Sequence, residues 1–86
     1  MRLDKYLWFV RLVRTRASAQ AIARGRHLRI DGRPIDRAHA EVRVGNVLSF
    51  PLNDRVCVVR VDAMPVRRGP ADEARACYTD LSPASG

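Results

Sequence analysis

The stretch "TRASAQAIARGRHLRIDG", Thr15 to Gly32, changes its period partway along, and that change decides the fold. Up to Arg24 the small and apolar residues Ala19, Ile22 and Ala23 form a narrow seam at helical spacing. Arg16, Gln20 and Arg24 recur at i, i+4 and i+8 and line one polar face. Thr15 offers a side-chain cap, and Gly25 is expected to end the helix by supplying a left-handed residue. Then the pattern alternates. Leu28 and Ile30 point one way and His27 and Arg29 the other, as in a half-buried strand, and Asp31-Gly32 is a tight-turn signal.

A second helix is expected upstream, in "RLDKYLWFVRLVR", Arg2 to Arg14. There Leu3, Tyr6, Leu7, Val10 and Val13 share one face, and Asp4 lies where a carboxylate caps free amides. Trp8 falls opposite that face, where it could stack on a base, but it is expected to fill core or be half-buried. Downstream, "RPIDRAHAE" is weakly patterned and reads as a connection, "VRVGNVLSF" as strand, Gly-Asn turn and strand, and "RVCVVRVDA" as another strand. Pro65 to Gly69 reads as a linker carrying Arg67 and Arg68. Pro70 suits the first position of a last helix running through about Tyr78. The order predicts an α+β domain, two N-terminal helices packed on a small, mostly antiparallel sheet with a short C-terminal helix.

The chain has 86 residues, near the lower end of what one core supports, so one domain is expected. We expect it to span residues 1–64, with a linker and helix packing on it over 65–80 and a frayed tail over 81–86. At 47% hydrophobic and 29% charged residues the composition argues against wholesale disorder. No apolar run reaches the length of a membrane span and the N-terminus does not read as a signal peptide, so a cytoplasmic location is expected. Cys57 and Cys77 make a poor disulfide framework and are read as buried reduced thiols. Neither they nor His27 and His39 complete a metal-ligand pattern, so no metal or cofactor is expected.

Net charge is +7, and its placement is uneven. Residues 1–33 carry nine basic side chains against Asp4 and Asp31, whereas the remainder carries seven of each sign. A single-sign surplus of this kind suits a polyanion. Fifteen of the sixteen basic residues are arginine, whose planar fork holds phosphate bidentately. A solvated surface explains any one of these arginines, but not the cluster beside an alanine seam.

"RLDKYL", "TRASAQ" and "RIDGR" together resemble the S-four RNA-binding domain (alpha-L fold), named for small-subunit ribosomal protein four. The resemblance covers about residues 2–50. It rests on Arg2-Leu3-Asp4 with Leu7, Thr15-Arg16 with Ala19, Asp31-Gly32, and Gly45-Asn46. "RRGPADEARACY", Arg67 to Tyr78, is similar to the segment that follows this domain in the bacterial fifteen-kilodalton heat-shock protein family. The resemblance implies a noncatalytic protein that binds ribosomal RNA of the large subunit, on particles carrying peptidyl-transfer RNA, in ribosome rescue or quality control. It implies an RNA surface on the two N-terminal helices and the strand-turn after them. On this sequence the candidate contacts are Arg2, Lys5, Arg11, Arg14, Thr15, Arg16, Gln20, Arg24, Arg26 and Arg29. Three positions depart from the family pattern: Thr15 for serine, Asp31 for asparagine, and Arg26 where glycine is common. The basic C-terminal extension of longer heat-shock members is not expected here.

The residues themselves also permit a helix-turn-helix DNA-binding protein, since two helices joined by a short turn end in a basic second helix. Against it, that helix offers only Ser18 and Gln20 for reading base edges. An enzyme is not expected. Asp4, Asp31 and Asp36 are scattered, no nucleophile has an evident base, and no phosphate loop is present. A monomer is expected.

Overall fold

The computed structural model describes residues 1–83, so Ala84 to Gly86, the end of the expected tail, lie outside the described residues. The elements run α1 (Leu3–Phe9), α2 (Arg16–Arg24), β1 (Leu28–Ile30), β2 (Arg33–Ile35), β3 (Val47–Leu52), β4 (Arg55–Val61), α3 (Ala71–Arg75) and β5 (Tyr78–Asp80). The strands form one antiparallel sheet in the order β2-β1-β3-β4-β5. The α+β expectation holds.

Period explains which side chains are inside. Leu3, Tyr6, Leu7 and Val10 of the first helical segment are buried, and so are Ala19 and Ala23 of α2. The strands contribute Leu28 and Ile30, Leu48 and Phe50, and Val59 and Val61, each pair two residues apart on one face. These residues form one cluster with Ala74 of α3. Alanines on α2 let the two N-terminal helices lie close together, which leaves the longer polar side chains of α2 outside. The Tyr6 hydroxyl crosses the core to donate to Cys77 O at 3.0 Å, tying α1 to the C-terminal unit. Burial raises the pKa of that phenol.

Both N-terminal helices end in the same unusual way. α1 stops at Phe9 because Arg11 turns left-handed, with φ 60°. Its amide donates to Trp8 O and the Leu12 amide to Leu7 O, the paired bonds that close a helix at a left-handed residue. α2 ends at Arg24, and here the expectation for Gly25 is corrected. Gly25 has φ −74°, and the left-handed residue is Arg26, with φ 65°. Glycine is common at that position because it alone adopts the conformation without cost.

Four further expectations are corrected. Val42 to Val44 form no strand, because the Val42 amide donates to Met1 O and the Arg43 amide to the Asn46 side chain. The hairpin instead joins β3 to β4 through Asn53-Asp54, both with positive φ, as a two-residue reverse turn of this hand requires. Part of the expected connection, Arg33–Ile35, is a strand, which the Asp31-Gly32 turn folds back on β1. The last helix ends at Arg75, and Tyr78–Asp80 instead completes the edge of β4 as β5. Leu81 and Ser82 extend that edge, with the Leu81 amide on Val58 O and the Ser82 hydroxyl accepting from the Val58 amide.

The cysteines are free, as expected, but half-buried rather than buried. Burial raises both thiol pKa values, which keeps them protonated. Among the described residues there is no cluster of potential metal ligands, and no helix is long and apolar enough to cross a membrane.

Candidate nucleic-acid interface

The candidate interface is organised by a carboxylate. Asp4 is 0% exposed, and its oxygens accept from Arg2 Nε and Nη2, both at 3.1 Å, from the Lys5 amide at 2.8 Å and from Gln20 Nε2 at 3.4 Å. Burial alone would raise its pKa. The bonds from Arg2, Gln20 and the Lys5 amide outweigh burial, so the carboxyl sits below its ordinary value. Asp4 therefore fixes Arg2 beside α1 and Gln20 on α2 relative to each other. The Arg2 side chain remains 51% exposed, so the guanidinium that holds Asp4 also faces solvent.

α2 presents the rest. Its first turn is capped, with the Ser18 amide donating to Thr15 Oγ1 at 3.0 Å. Arg14, Thr15, Arg16 and Arg24 are exposed, and Gln20 is half-exposed. From Arg16 to Arg24 the helix rises about 12 Å. Among the described residues neither Arg14, Arg16, Arg24 nor Arg26 forms an ion pair. This face is a row of uncompensated guanidinium groups.

The ten candidate residues divide into groups. Arg14, Thr15 and Arg16 gather at the start of α2, where the Arg16 guanidinium lies 5.7 Å from the centre of the half-buried Trp8 ring. Arg2, Arg24 and Arg26 meet at its other end, around a cleft of about 420 Å³. Gln20 lies between. Three stand apart. Lys5 lies over the Phe9 ring at 5.4 Å, Arg29 donates to Gly32 O at 3.1 Å, and Arg11 donates through Nε to Gly69 O at 2.6 Å.

Sequence reasoning missed three residues that the fold brings to these groups. Arg68 sits 5.2 Å over the Trp8 ring and donates to Trp8 O, so the C-terminal linker packs against the start of the basic face. Arg37 and His39 line the cleft at the end of α2. They come from the weakly patterned segment after β2, whose local sequence carries no sign of where it lies. Asp31, by contrast, is not a free negative charge. Its oxygens accept from the Val47 amide at 2.8 Å and from Asn46 Nδ2 at 2.7 Å, which pins the β1–β2 turn to the start of β3.

Residues 1–48 match the family model of the S4 domain. No curated protein matches the sequence. Among solved structures the chain is similar to Heat Shock Protein 15 of Vibrio cholerae, described as trimeric, with a TM-score of 0.86 and 23% identity over 94% of this chain and 81% of that one. At that identity the likeness is one of fold.

Proposed function

Because the chain belongs to the S4 domain family, we propose that it is a noncatalytic RNA-binding protein that recognises ribosomal RNA of the large subunit. In this reading it acts in the cytoplasm on stalled or dissociated subunits carrying peptidyl-transfer RNA, in rescue or quality control. The single observation that carries the RNA reading is the row of exposed, uncompensated arginines along α2, Arg14, Arg16 and Arg24 with Arg26.

The chemistry follows from the geometry. At the start of α2 the Thr15 side chain engages the Ser18 amide, leaving the remaining first-turn amides and the positive end of the helix dipole beside Arg14 and Arg16. A phosphate there meets both a dipole and two forks. Contacts of this kind set position and affinity rather than sequence, so the protein reads RNA shape. The ribosomal target draws support from the likeness of nearly the whole chain to a heat-shock protein fold, C-terminal unit included.

A filter-binding titration against large-subunit ribosomal RNA tests the reading. Affinity is expected to fall with salt, with a log–log slope of about −0.7 to −0.9 per phosphate contacted. An Arg14→Ala/Arg16→Ala double variant is expected to lose at least tenfold in affinity and to flatten the slope by about two phosphates. A flat salt dependence in the wild type, or preference for duplex DNA over structured RNA, would sink the proposal. Light scattering of the same samples distinguishes the expected monomer from an assembly like that of the Vibrio protein.

A further inference from the structure

The end of α2 contains more positive charge than the helix itself supplies. Arg2, Arg24, Arg26, Arg37 and His39 line one cleft, and among the described residues Asp36 is the only carboxylate lining it. Arg24, Arg26 and Arg37 form no ion pair among the described residues, and all three are exposed. Like charges held this close repel one another in the free protein, and a bound anion relieves that repulsion.

Backbone geometry makes the same point independently. Arg26 is left-handed at φ 65°, a conformation that is strained for a residue with a Cβ. No hydrogen bond or ion pair within the described residues offsets that strain, in contrast to Arg11, whose side chain binds Gly69 O. Strain of this kind persists where a side chain must be presented in a particular place. What Arg26 lines is the cleft.

We propose that this cleft is a subsite for one RNA backbone phosphate, held by Arg26 and Arg37 with His39 as a further donor. The inference rests on the RNA-binding reading and extends the interface from the helices to the segment after β2. Arg37 and His39 also border a second depression, on the side of Asp31 and Glu41. That depression adds Arg33 to the carboxylates of Asp31 and Glu41, whereas the α2 side adds Arg2, Arg24 and Arg26 to Asp36, so the greater positive charge makes the Arg24 and Arg26 side the place for phosphate. A guanidinium takes two phosphate oxygens at once, and the imidazole adds a single donor.

The test is a salt titration of large-subunit ribosomal RNA binding by an Arg37→Ala/His39→Ala variant. As a charge control we choose Arg55→Ala, which lies on the β3–β4 hairpin and lines a different depression. The cleft variant is expected to lose about one phosphate from the slope, a change of about 0.7–0.9, with a several-fold fall in affinity at moderate salt. Arg55→Ala is expected to leave the slope unchanged. On the intact wild type, the amide signals of Arg37 to His39 are expected to shift as the same RNA is titrated in, and inorganic phosphate at millimolar concentration to shift them in the same direction, more weakly.

If the cleft variant behaves like Arg55→Ala while Arg14→Ala/Arg16→Ala is weakened, the subsite is wrong and the RNA reading stands. Wild-type protein that binds no RNA overturns both. Movement of the cleft signals by inorganic phosphate but not by RNA overturns the subsite as well, since it marks an anion site that the RNA does not use.

Discussion

The two N-terminal helices end alike and use that ending differently. Each places an arginine in the left-handed position that follows its cap, Arg11 after α1 and Arg26 after α2. Arg11 turns its guanidinium onto the carbonyl of Gly69, while Arg68 from the same linker donates back to Trp8 O. The strained residue at that end is thus one half of a reciprocal clasp between the helical hairpin and the C-terminal linker. Arg26 has no such partner within the described residues and lines an open basic cleft. The same local geometry is structural where a distant carbonyl accepts from the arginine and available to a ligand where no acceptor among the described residues does. Local sequence sets the turn, and long-range packing decides what the turn is for.

Asp4 holds the two helices in the relation that gives this contrast its meaning, so its loss breaks the comparison most severely. Asp4→Ala removes a buried acceptor of bonds from Arg2, Gln20 and the Lys5 amide. A loss of about 2–3 kcal/mol is expected by denaturant unfolding, since hydrogen bonds to charged groups are worth about 1.5–3 kcal/mol net. The pH dependence has a definite sign. The folded-state pKa of Asp4 lies below its ordinary value of 3.8, so its contribution is present above that value and lost as pH falls through the folded pKa. Wild-type stability is therefore expected to drop more steeply below about pH 4 than that of Asp4→Ala. Parallel acid profiles for the two proteins would mean that the carboxylate does not organise the helices.

Most of the fold was legible because it follows period and turn chemistry. The switch at Gly25–His27 marked where helix gives way to strand, and Asp31-Gly32 marked the first hairpin. The misreadings have physical causes. Val42 to Val44 look like a strand because Val, Arg and Val alternate, but their amides are committed to Met1 and Asn46, which no local pattern reveals. Asn53-Asp54 carried a turn signal that the flanking apolar run obscured. Tyr78 reads as the end of a helix, yet the open edge of β4 takes it as a strand. At the candidate site, the exposed face that the α2 arginines share could be read from spacing. Arg37, His39 and Arg68 could not, because only the folded chain brings the segment after β2 and the linker against α1 and α2.

A gentler change sharpens the contrast on the α1 side. Arg11→Ala keeps a Cβ in the left-handed position but deletes the bond to Gly69 O. It is expected to lose about 1.5 kcal/mol of stability, because strain remains while its compensation goes. Arg11→Gly loses the same bond but relieves about 1 kcal/mol of strain, so it is expected to fall between the wild type and Arg11→Ala. Equal stability in the alanine and glycine variants would show that the left-handed backbone at this end costs nothing.

Arg26→Gly is the corresponding change at the other helix, and its expected signature differs in kind. The variant restores the residue best suited to φ 65° and removes no hydrogen bond or ion pair within the described residues. Stability is therefore expected to rise by about 1 kcal/mol. RNA affinity is expected to fall several-fold, with about one phosphate lost from the salt slope. Stability and binding then move in opposite directions at Arg26, whereas at Arg11 the first-order effect is on stability alone. Such opposition is the mark of a residue kept for its ligand at the expense of the fold. If Arg26→Gly gained stability with no loss of RNA binding, the arginine would have no part in the interface. If it lost stability, the guanidinium would have a structural partner after all, and the two helix ends would be alike in use as well as in shape.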